Sequence, residues 1–335
     1  MKFVTNFALY DGCLDQVGTM ADVAADCRQR GLDGLEIIWD HRPYTQELPP
    51  AGLAVGYHLT FWSYWLDFWR QDESALLKEF GSQSQAREYF RGATPDDMVA
   101  RYREDLSHAL ELGAEYLVFH VSDVSLEECF TYDFAHTSEQ VIDAAIELAN
   151  RITEGLDPNV AFLCENIWWP GLTFTDPALT QRLMDGIAHP NKGIMLDIGH
   201  LLHTNNKLRT QREAAAYVGQ MLDEHGRLAD YVRGLHLHQS LTGPYVEKNA
   251  YRPSDAFKQA STYWEKFSAC YDHVLRIDEH QPWTDPSIGP LVRRINPEWV
   301  NNELSAWPWG QHLDAASVQM DALGAGLSER LRHQR

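Results

Sequence analysis

The sequence predicts an α/β protein with a single domain over residues 1–335, folded as a (β/α)8 barrel. Strand-like and helix-like segments alternate along the chain. The strands are continuous apolar runs, which is typical of parallel strands that are covered by helices. The alternation repeats eight times, and eight parallel strands favour closure into a barrel. No linker or low-complexity segment interrupts this pattern, so one domain is expected.

The predicted elements follow one another in regular order, with a helix after most strands. The strands are residues 2–9, 34–38, 54–60, 116–122, 160–165, 193–197, 232–238 and 299–304. The helices are residues 15–30, 95–112, 138–153, 177–187, 212–225 and 254–271, with a last helix from about residue 313. Thr94 before Pro95 predicts a helix start, and Gly31 and Gly113 predict helix ends.

Two long insertions interrupt the strand–helix alternation. Residues 61–92 follow the third strand, and residues 239–297 lie between the seventh and eighth strands. Loops at the C-terminal ends of barrel strands build the active site in this fold class. Both insertions are therefore expected to form the walls of a pocket.

Composition excludes some classes of partner. The formal net charge of −20 and the pI near 5.1 disfavour binding to a nucleic-acid backbone or an anionic membrane. Five scattered cysteines without a Cys-x-x-Cys pair suggest a reducing compartment. With no signal-peptide pattern and no long apolar run, we expect a cytoplasmic protein without a membrane anchor. A homo-oligomer is left open.

Ionisable side chains follow strand after strand at the predicted C-terminal ends. They are His58, His120, Glu165, Asp197, His200, His236, His238 and Glu303, with Asp278 and His280 late in the second insertion. A single histidine at a strand end is more often a satisfied polar residue than a ligand. Burying so many such groups together would be costly unless a divalent cation compensated them. The set therefore predicts a metal site at the C-terminal face.

The order Glu165, Asp197-x-x-His200, His236 and Glu303 resembles the xylose isomerase-like TIM-barrel superfamily. That group contains sugar isomerases and epimerases, inosose dehydratase-like enzymes and endonuclease IV (AP endonuclease family 2). The resemblance implies that Glu165, Asp197, His236 and Glu303 hold one catalytic metal, with His200 beside it.

Further residues match the larger ligand set of endonuclease IV-like proteins. His58, His120 and Asp278-x-His280 occur in the same order as the additional ligands there, which implies a centre of two or three metals. The strand-three and strand-four histidines also occur in single-metal members, so the Asp278-x-His280 pair discriminates between the two cases. One to three divalent ions are expected, and mixed histidine and carboxylate ligands fit Mn, Zn, Co, Fe or Mg.

The leading functional hypothesis is a metal-dependent isomerase or epimerase that acts on a small polyhydroxy or keto substrate. The metal would polarise a carbonyl group, and Glu165 and Glu303 would exchange the proton, with His200 as a further catalytic residue. The alternative is a multinuclear phosphoester hydrolase that resembles endonuclease IV. A non-catalytic binding barrel is the third hypothesis.

Most of the 11 tryptophans follow predicted strand ends, which indicates an aromatic rim around the pocket. Rings of this kind suit stacking against a sugar or another flat, partly apolar ligand, although some of them will simply pack loops onto the barrel. Trp62, Trp168, Trp283 and His238 are the candidate substrate-binding residues. The expected partner is a small carbohydrate-like molecule, and nucleic acid is disfavoured because no cluster of Lys and Arg is visible.

Overall fold

A computed structural model describes residues 1–39 and 43–324 of the chain, and within them eight parallel strands form a closed barrel in sequential order. The strands are β1 (Lys2–Ala8), β2 (Gly34–Ile38), β3 (Ala54–His58), β4 (Tyr116–His120), β5 (Ala161–Glu165), β6 (Lys192–Asp197), β7 (Val232–Leu237) and β8 (Trp299–Asn302). Strand β1 pairs in parallel with both β2 and β8, which closes the barrel. The predicted fold class is confirmed.

Helices cover the outside of the barrel and fill both insertions. They are α1 (Met20–Gln29), α2 (Leu66–Trp69), α3 (Glu73–Phe80), α4 (Gln83–Phe90), α5 (Pro95–Leu112), α6 (Glu128–Thr131), α7 (Ser138–Ile152), α8 (Pro177–Gly186), α9 (Ile198–Leu202), α10 (Gln211–His225), α11 (Gly243–Asn249), α12 (Asp255–Gln259), α13 (Tyr263–Val274), α14 (Ile288–Ile295) and α15 (Trp309–Ala322). None of these helices combines the length and the apolar character needed to cross a bilayer.

Two helix predictions had the wrong boundaries, because capping residues start helices at other positions. Helix α1 begins at Met20, not at residue 15, because Thr19 and Asp22 form a capping box directly after Gly18, whose φ of +90° does not fit a helix. The helix predicted over residues 254–271 is two helices, α12 and α13. A second capping box, formed by Thr262 and Glu265, starts α13.

The lower part of the barrel interior is filled by an apolar layer. It contains Val4, Val55, Tyr116, Val118, Ala161, Leu163, Met195 and Trp299. Tyr116 and Trp299 pack with their ring centroids 4.9 Å apart. A Cβ atom at Gly56 would lie 2.1 Å from the Tyr116 ring, so the residue that faces this ring has to be glycine. The ionisable strand-end side chains lie above this layer, at the C-terminal end of the barrel.

The two insertions meet above that end. The first contributes α2, α3 and α4, and the second contributes α11, α12 and α13. Phe80 and Tyr263 pack at 4.8 Å between ring centroids, and the Trp264 indole N–H donates to Glu88 Oε1 at 3.3 Å. The insertions therefore form the walls of the entrance, as the sequence predicts.

Candidate metal centre

The strands themselves aim the candidate ligands into the barrel. Side chains two residues apart on a strand point in the same direction. On β4 the interior residue Val118 is followed two positions later by His120, and on β5 the interior residue Leu163 is followed by Glu165. Each apolar row thus ends in an ionisable side chain that faces the pocket at the C-terminal end.

The candidate ligands form three adjacent groups. In each group, one nitrogen or oxygen atom from every residue lies within 4.8 Å of those of the others. The first ligand group is His58, His120 and Glu165; the second is Glu165, Asp197, His236 and Glu303; the third is His200, His238, Asp278 and His280. Every residue predicted as a metal ligand falls in one of them, and Glu165 belongs to two.

In the first ligand group, two imidazoles converge on one carboxylate oxygen. His120 Nε2 lies 2.7 Å from Glu165 Oε2, and His58 Nε2 lies 3.3 Å from the same atom. The two Nε2 atoms are 3.0 Å apart. His58 Nδ1 lies 2.9 Å from the carbonyl oxygen of Leu59, which fixes the ring with Nε2 toward Glu165.

In the second ligand group, three carboxylates surround one nitrogen of His236. Its Nδ1 atom lies 2.8 Å from Glu303 Oε2, 3.1 Å from Glu165 Oε1 and 3.6 Å from Asp197 Oδ2. Glu165 therefore turns Oε1 to the second group and Oε2 to the first. A carboxylate in this position can bridge two cations.

The third ligand group depends on the return of the second insertion to the barrel. Gln239 and Gln281 exchange two backbone hydrogen bonds of 2.8 and 2.9 Å, which bring Asp278 and His280 next to the end of β7. Asp278 Oδ2 lies 3.2 Å from His200 Nε2 and 3.4 Å from His280 Nδ1. The φ of His280 is +47°, an uncommon conformation for a residue other than glycine and one that is often found at functional sites.

His238 joins this third group, although the sequence assigned it to substrate binding. Its Nδ1 atom lies 3.8 Å from Asp278 Oδ1, and its ring stacks on His280 with centroids 4.0 Å apart. Its Nε2 atom lies 3.0 Å from Asp197 Oδ2. His238 therefore connects the second and third ligand groups.

The sequence alone did not identify several residues that support the candidate ligands. Glu36 on β2 is fully buried and lies 3.1 Å from His236 Nε2, opposite the nitrogen that faces the ligand group. It also accepts hydrogen bonds from the Tyr116 hydroxyl at 2.7 Å and from the Asn301 amide at 2.9 Å. A carboxylate behind a metal-binding histidine orients the ring. A lone acidic residue inside the apolar strand β2 was the available signal.

Asn166 and Ser240 hold the other ligands in place. The Asn166 side chain accepts from the backbone N–H of Asp197 at 2.8 Å and donates to its carbonyl oxygen at 2.9 Å. The Ser240 hydroxyl donates to Asp278 Oδ1 at 3.3 Å and accepts from the backbone N–H of His280 at 3.2 Å. Asn166 directly follows Glu165 and Ser240 lies two residues after His238, and this nearness to candidate ligands was the signal that could have identified them.

Within the ligand groups, nearby histidines offset the effect of burial on the pKa values of the carboxylates. Burial alone would raise the pKa of Glu165, but His120 and His236 hold it well below its ordinary value. Burial also opposes ionisation of Glu303, whose pKa is nevertheless held well below the ordinary value by His236 and His280. Both carboxylates are therefore ionised at neutral pH, which is the form that binds cations.

The donor set fits divalent cations. Glu165 Oε2, Glu303 Oε2 and His238 Nδ1 are buried and make no hydrogen bond within the described part of the chain, although other ligand atoms lie close to them. No Lys or Arg among the described residues forms an ion pair with the four carboxylates of the three groups. Close approach without hydrogen bonds is expected where each atom points at a shared cation instead of at its neighbour.

The candidate substrate-binding tryptophans have three different positions. Trp168 lines the cavity of about 360 Å³ above the ligand groups, and its ring centroid lies 5.3 Å from that of His200. Trp62 lines an adjoining cavity. Trp283 is fully buried and donates its indole N–H to the carbonyl oxygen of His238 at 2.8 Å, so it supports a ligand from behind and does not reach the cavity.

Comparison with known protein families finds a match for most of the chain. A family model described as xylose isomerase-like TIM barrel matches residues 24–284, which include all of the candidate ligands except Glu303. No curated protein sequence matches the chain.

Solved structures with a similar fold include members of both functional classes. Endonuclease IV from Thermus thermophilus is 15% identical with a TM-score of 0.51, over 96% of this chain and 99% of that one. A D-tagatose 3-epimerase-like protein is 14% identical with a TM-score of 0.49, over 100% and 99% of the two chains. D-allulose 3-epimerase from Methylomonas sp. is 11% identical with a TM-score of 0.43, over 96% and 95%. At these identities the likeness is one of fold.

Proposed function

The chain belongs to the xylose isomerase-like TIM-barrel family, and from that premise we propose that it is a multinuclear, divalent-metal-dependent hydrolase of a small phosphoester. The observation that carries this proposal is the assembly of three adjacent ligand groups, of which Glu165 joins the first two and His238 connects the second to the third. An enzyme with one metal needs only the second of them. The sequence favoured an isomerase first, and the presence of the third ligand group reverses that order.

The cations would supply Lewis-acid activation of water and neutralisation of the phosphoester charge. Residues of the chain would position the substrate and the attacking water. Glu303 is the most exposed carboxylate of the ligand groups, with 13% of its side chain accessible, and it lines the cavity with His58 and His280. We assign to its carboxylate the acceptance of a proton from the attacking water. Trp168 and Ile167 line the same cavity and make this part of its wall apolar.

A small phosphoester is favoured over a nucleic acid. The net charge is −20, and a protein that holds a phosphate backbone normally presents clustered Lys and Arg. The cavity above the ligand groups has about 360 Å³, which suits a small molecule. Because the protein is strongly acidic, we expect the metal centre itself, and not a basic surface, to bind the phosphate of the substrate.

An isomerase or epimerase is the second candidate. The second ligand group alone could hold one cation, and Glu165 Oε1 and Glu303 Oε2 lie on two sides of the same His236 nitrogen at 3.1 and 2.8 Å. Two carboxylates in that arrangement could remove and return a proton on a bound sugar. This candidate leaves the first and third ligand groups without a catalytic role.

The first prediction concerns the reaction class. We expect the protein loaded with Mn or Zn to hydrolyse bis-p-nitrophenyl phosphate, and a chelator to lower the rate by at least about a hundredfold, because water activation depends on the cations. Release of p-nitrophenolate is the measurement. Solvent deuterium exchange into a ketose, without phosphoester turnover, would instead select the isomerase.

A further inference from the structure

The cavity above the ligand groups adjoins a second and larger one, which we call the aromatic cleft. It has a volume of about 650 Å³, and Thr60, Phe61, Trp169, Tyr271 and Val274 line both spaces. Phe61 stands at the junction, with its ring centroid 4.2 Å from that of the ligand His120. The two cavities therefore adjoin along these shared residues, so that the cleft lies beside a molecule bound over the metal centre.

One wall of the aromatic cleft is a row of apolar side chains on α13. Trp264, Phe267, Tyr271 and Val274 are spaced three, four and three residues apart, so they lie on one face of the helix. On the adjoining face, Tyr263 and Cys270 pack into the core, and Cys270 also borders the cleft. The lining row is left open, with Trp264 44% and Tyr271 54% exposed.

Other aromatic residues of the lining come from other parts of the chain. Trp62 and Tyr89 belong to the first insertion, and Trp169 follows β5. The charged residues in the described lining are Glu88 and Arg91, one of each sign. A lining of this composition has no net charge to attract a polyanion, and most of it is apolar or aromatic.

We propose that the aromatic cleft binds a planar apolar group of the substrate, so that the substrate class is a small phosphoester with an aryl or similarly flat substituent. The phosphoester part of this proposal rests on the proposed hydrolase function. Contiguous apolar surface that is left open next to a polar site marks ligand binding, and ring stacking against aromatic side chains is favourable. A sugar alone would leave these side chains exposed to water.

The test compares three small ligands by calorimetry on the metal-loaded protein. Methylphosphonate carries only the charged head, 1-naphthol carries only the planar ring, and 1-naphthylmethylphosphonate carries both. We expect the last to bind at least about tenfold more tightly than methylphosphonate, because only its ring reaches the cleft. Trp264→Ala and Phe267→Ala, whose side chains line the cleft but not the cavity above the ligand groups, should each remove most of that difference and leave methylphosphonate binding unchanged.

Trp307→Ala is the matched control, because Trp307 is 47% exposed and is not part of the described lining of the cleft. It should keep the full preference for the naphthyl ligand. Equal binding of the two phosphonates to the unmodified protein overturns the proposal, and so does a preference that survives in both cleft variants. If the cleft instead binds a second copy of the chain, Trp264→Ala should change only the oligomeric state.

The two proposals fail in different ways. If 1-naphthol binds in a manner that depends on Trp264 while methylphosphonate does not bind, the cleft is upheld as a ligand site and the phosphoester hydrolase is overturned. If methylphosphonate binds and phosphoesters are hydrolysed with no gain from the naphthyl ring, the hydrolase is upheld and the cleft assignment is overturned.

Discussion

Glu165→Gln is expected to abolish hydrolysis, with a loss of at least about a thousandfold, or ~4 kcal/mol of transition-state stabilisation. The same substitution should lower the metal content by about two ions per chain. The reason is that Glu165 turns Oε2 to the first ligand group and Oε1 to the second. An amide keeps the size of the side chain but removes the charge that both groups share.

Glu111→Gln is the control for this variant. Glu111 is exposed on α5, outside all three ligand groups, and the change removes the same charge. It should leave both turnover and metal content at the level of the unmodified protein. A Glu165→Gln variant that keeps its full metal content and turns over normally would contradict the assignment of Glu165 as a shared ligand. Turnover and plasma mass spectrometry on the same preparation give both readouts.

Asp278→Asn is expected to remove about one ion per chain and to leave the other two in place. Asp278 belongs only to the third ligand group, where it lies 3.2 Å from His200 and 3.4 Å from His280. We expect turnover to fall about a hundredfold, because part of the charge compensation at the phosphoester is lost while the first and second groups remain. Metal content is the decisive readout.

Asp272→Asn provides the comparison for this second variant, since Asp272 is exposed on α13 and stands outside the ligand groups. Unchanged metal content in Asp278→Asn would mean that the third group holds no ion, which is the outcome that a single-metal isomerase requires. Loss of all ions would mean that the three groups do not bind independently.

The sequence predicts the eight-stranded barrel and the inward row of ligands because both depend on local patterns. Buried parallel strands are apolar without alternation, and the residue at the strand end is visible as a polar break, as in Leu163-Cys164-Glu165. The convergence of those ends is a property of the closed barrel. The first two ligand groups therefore follow once the strands are placed, because their residues lie at or next to strand ends.

Residues that depend on long-range contacts were harder to predict. Asp278 and His280 lie about forty residues from β7, and they were predicted from the family resemblance and not from a local pattern; the Gln239–Gln281 pairing brings them to His238. Glu36 precedes the first predicted ligand, and its contact with His236 spans the barrel. Trp283 was predicted to bind substrate, but its indole N–H donates to the carbonyl oxygen of His238. Spacing along the chain carries no information about any of these contacts.

The measurement that tests the central claim most directly is the metal content of the purified, reconstituted protein. Three adjacent ligand groups, two of which share Glu165, predict about three divalent ions per chain by plasma mass spectrometry. A value of about three, falling to about two in Asp278→Asn, is the result that a multinuclear centre requires. A value of one that does not change in Asp278→Asn would contradict the multinuclear centre and restore the isomerase as the first candidate.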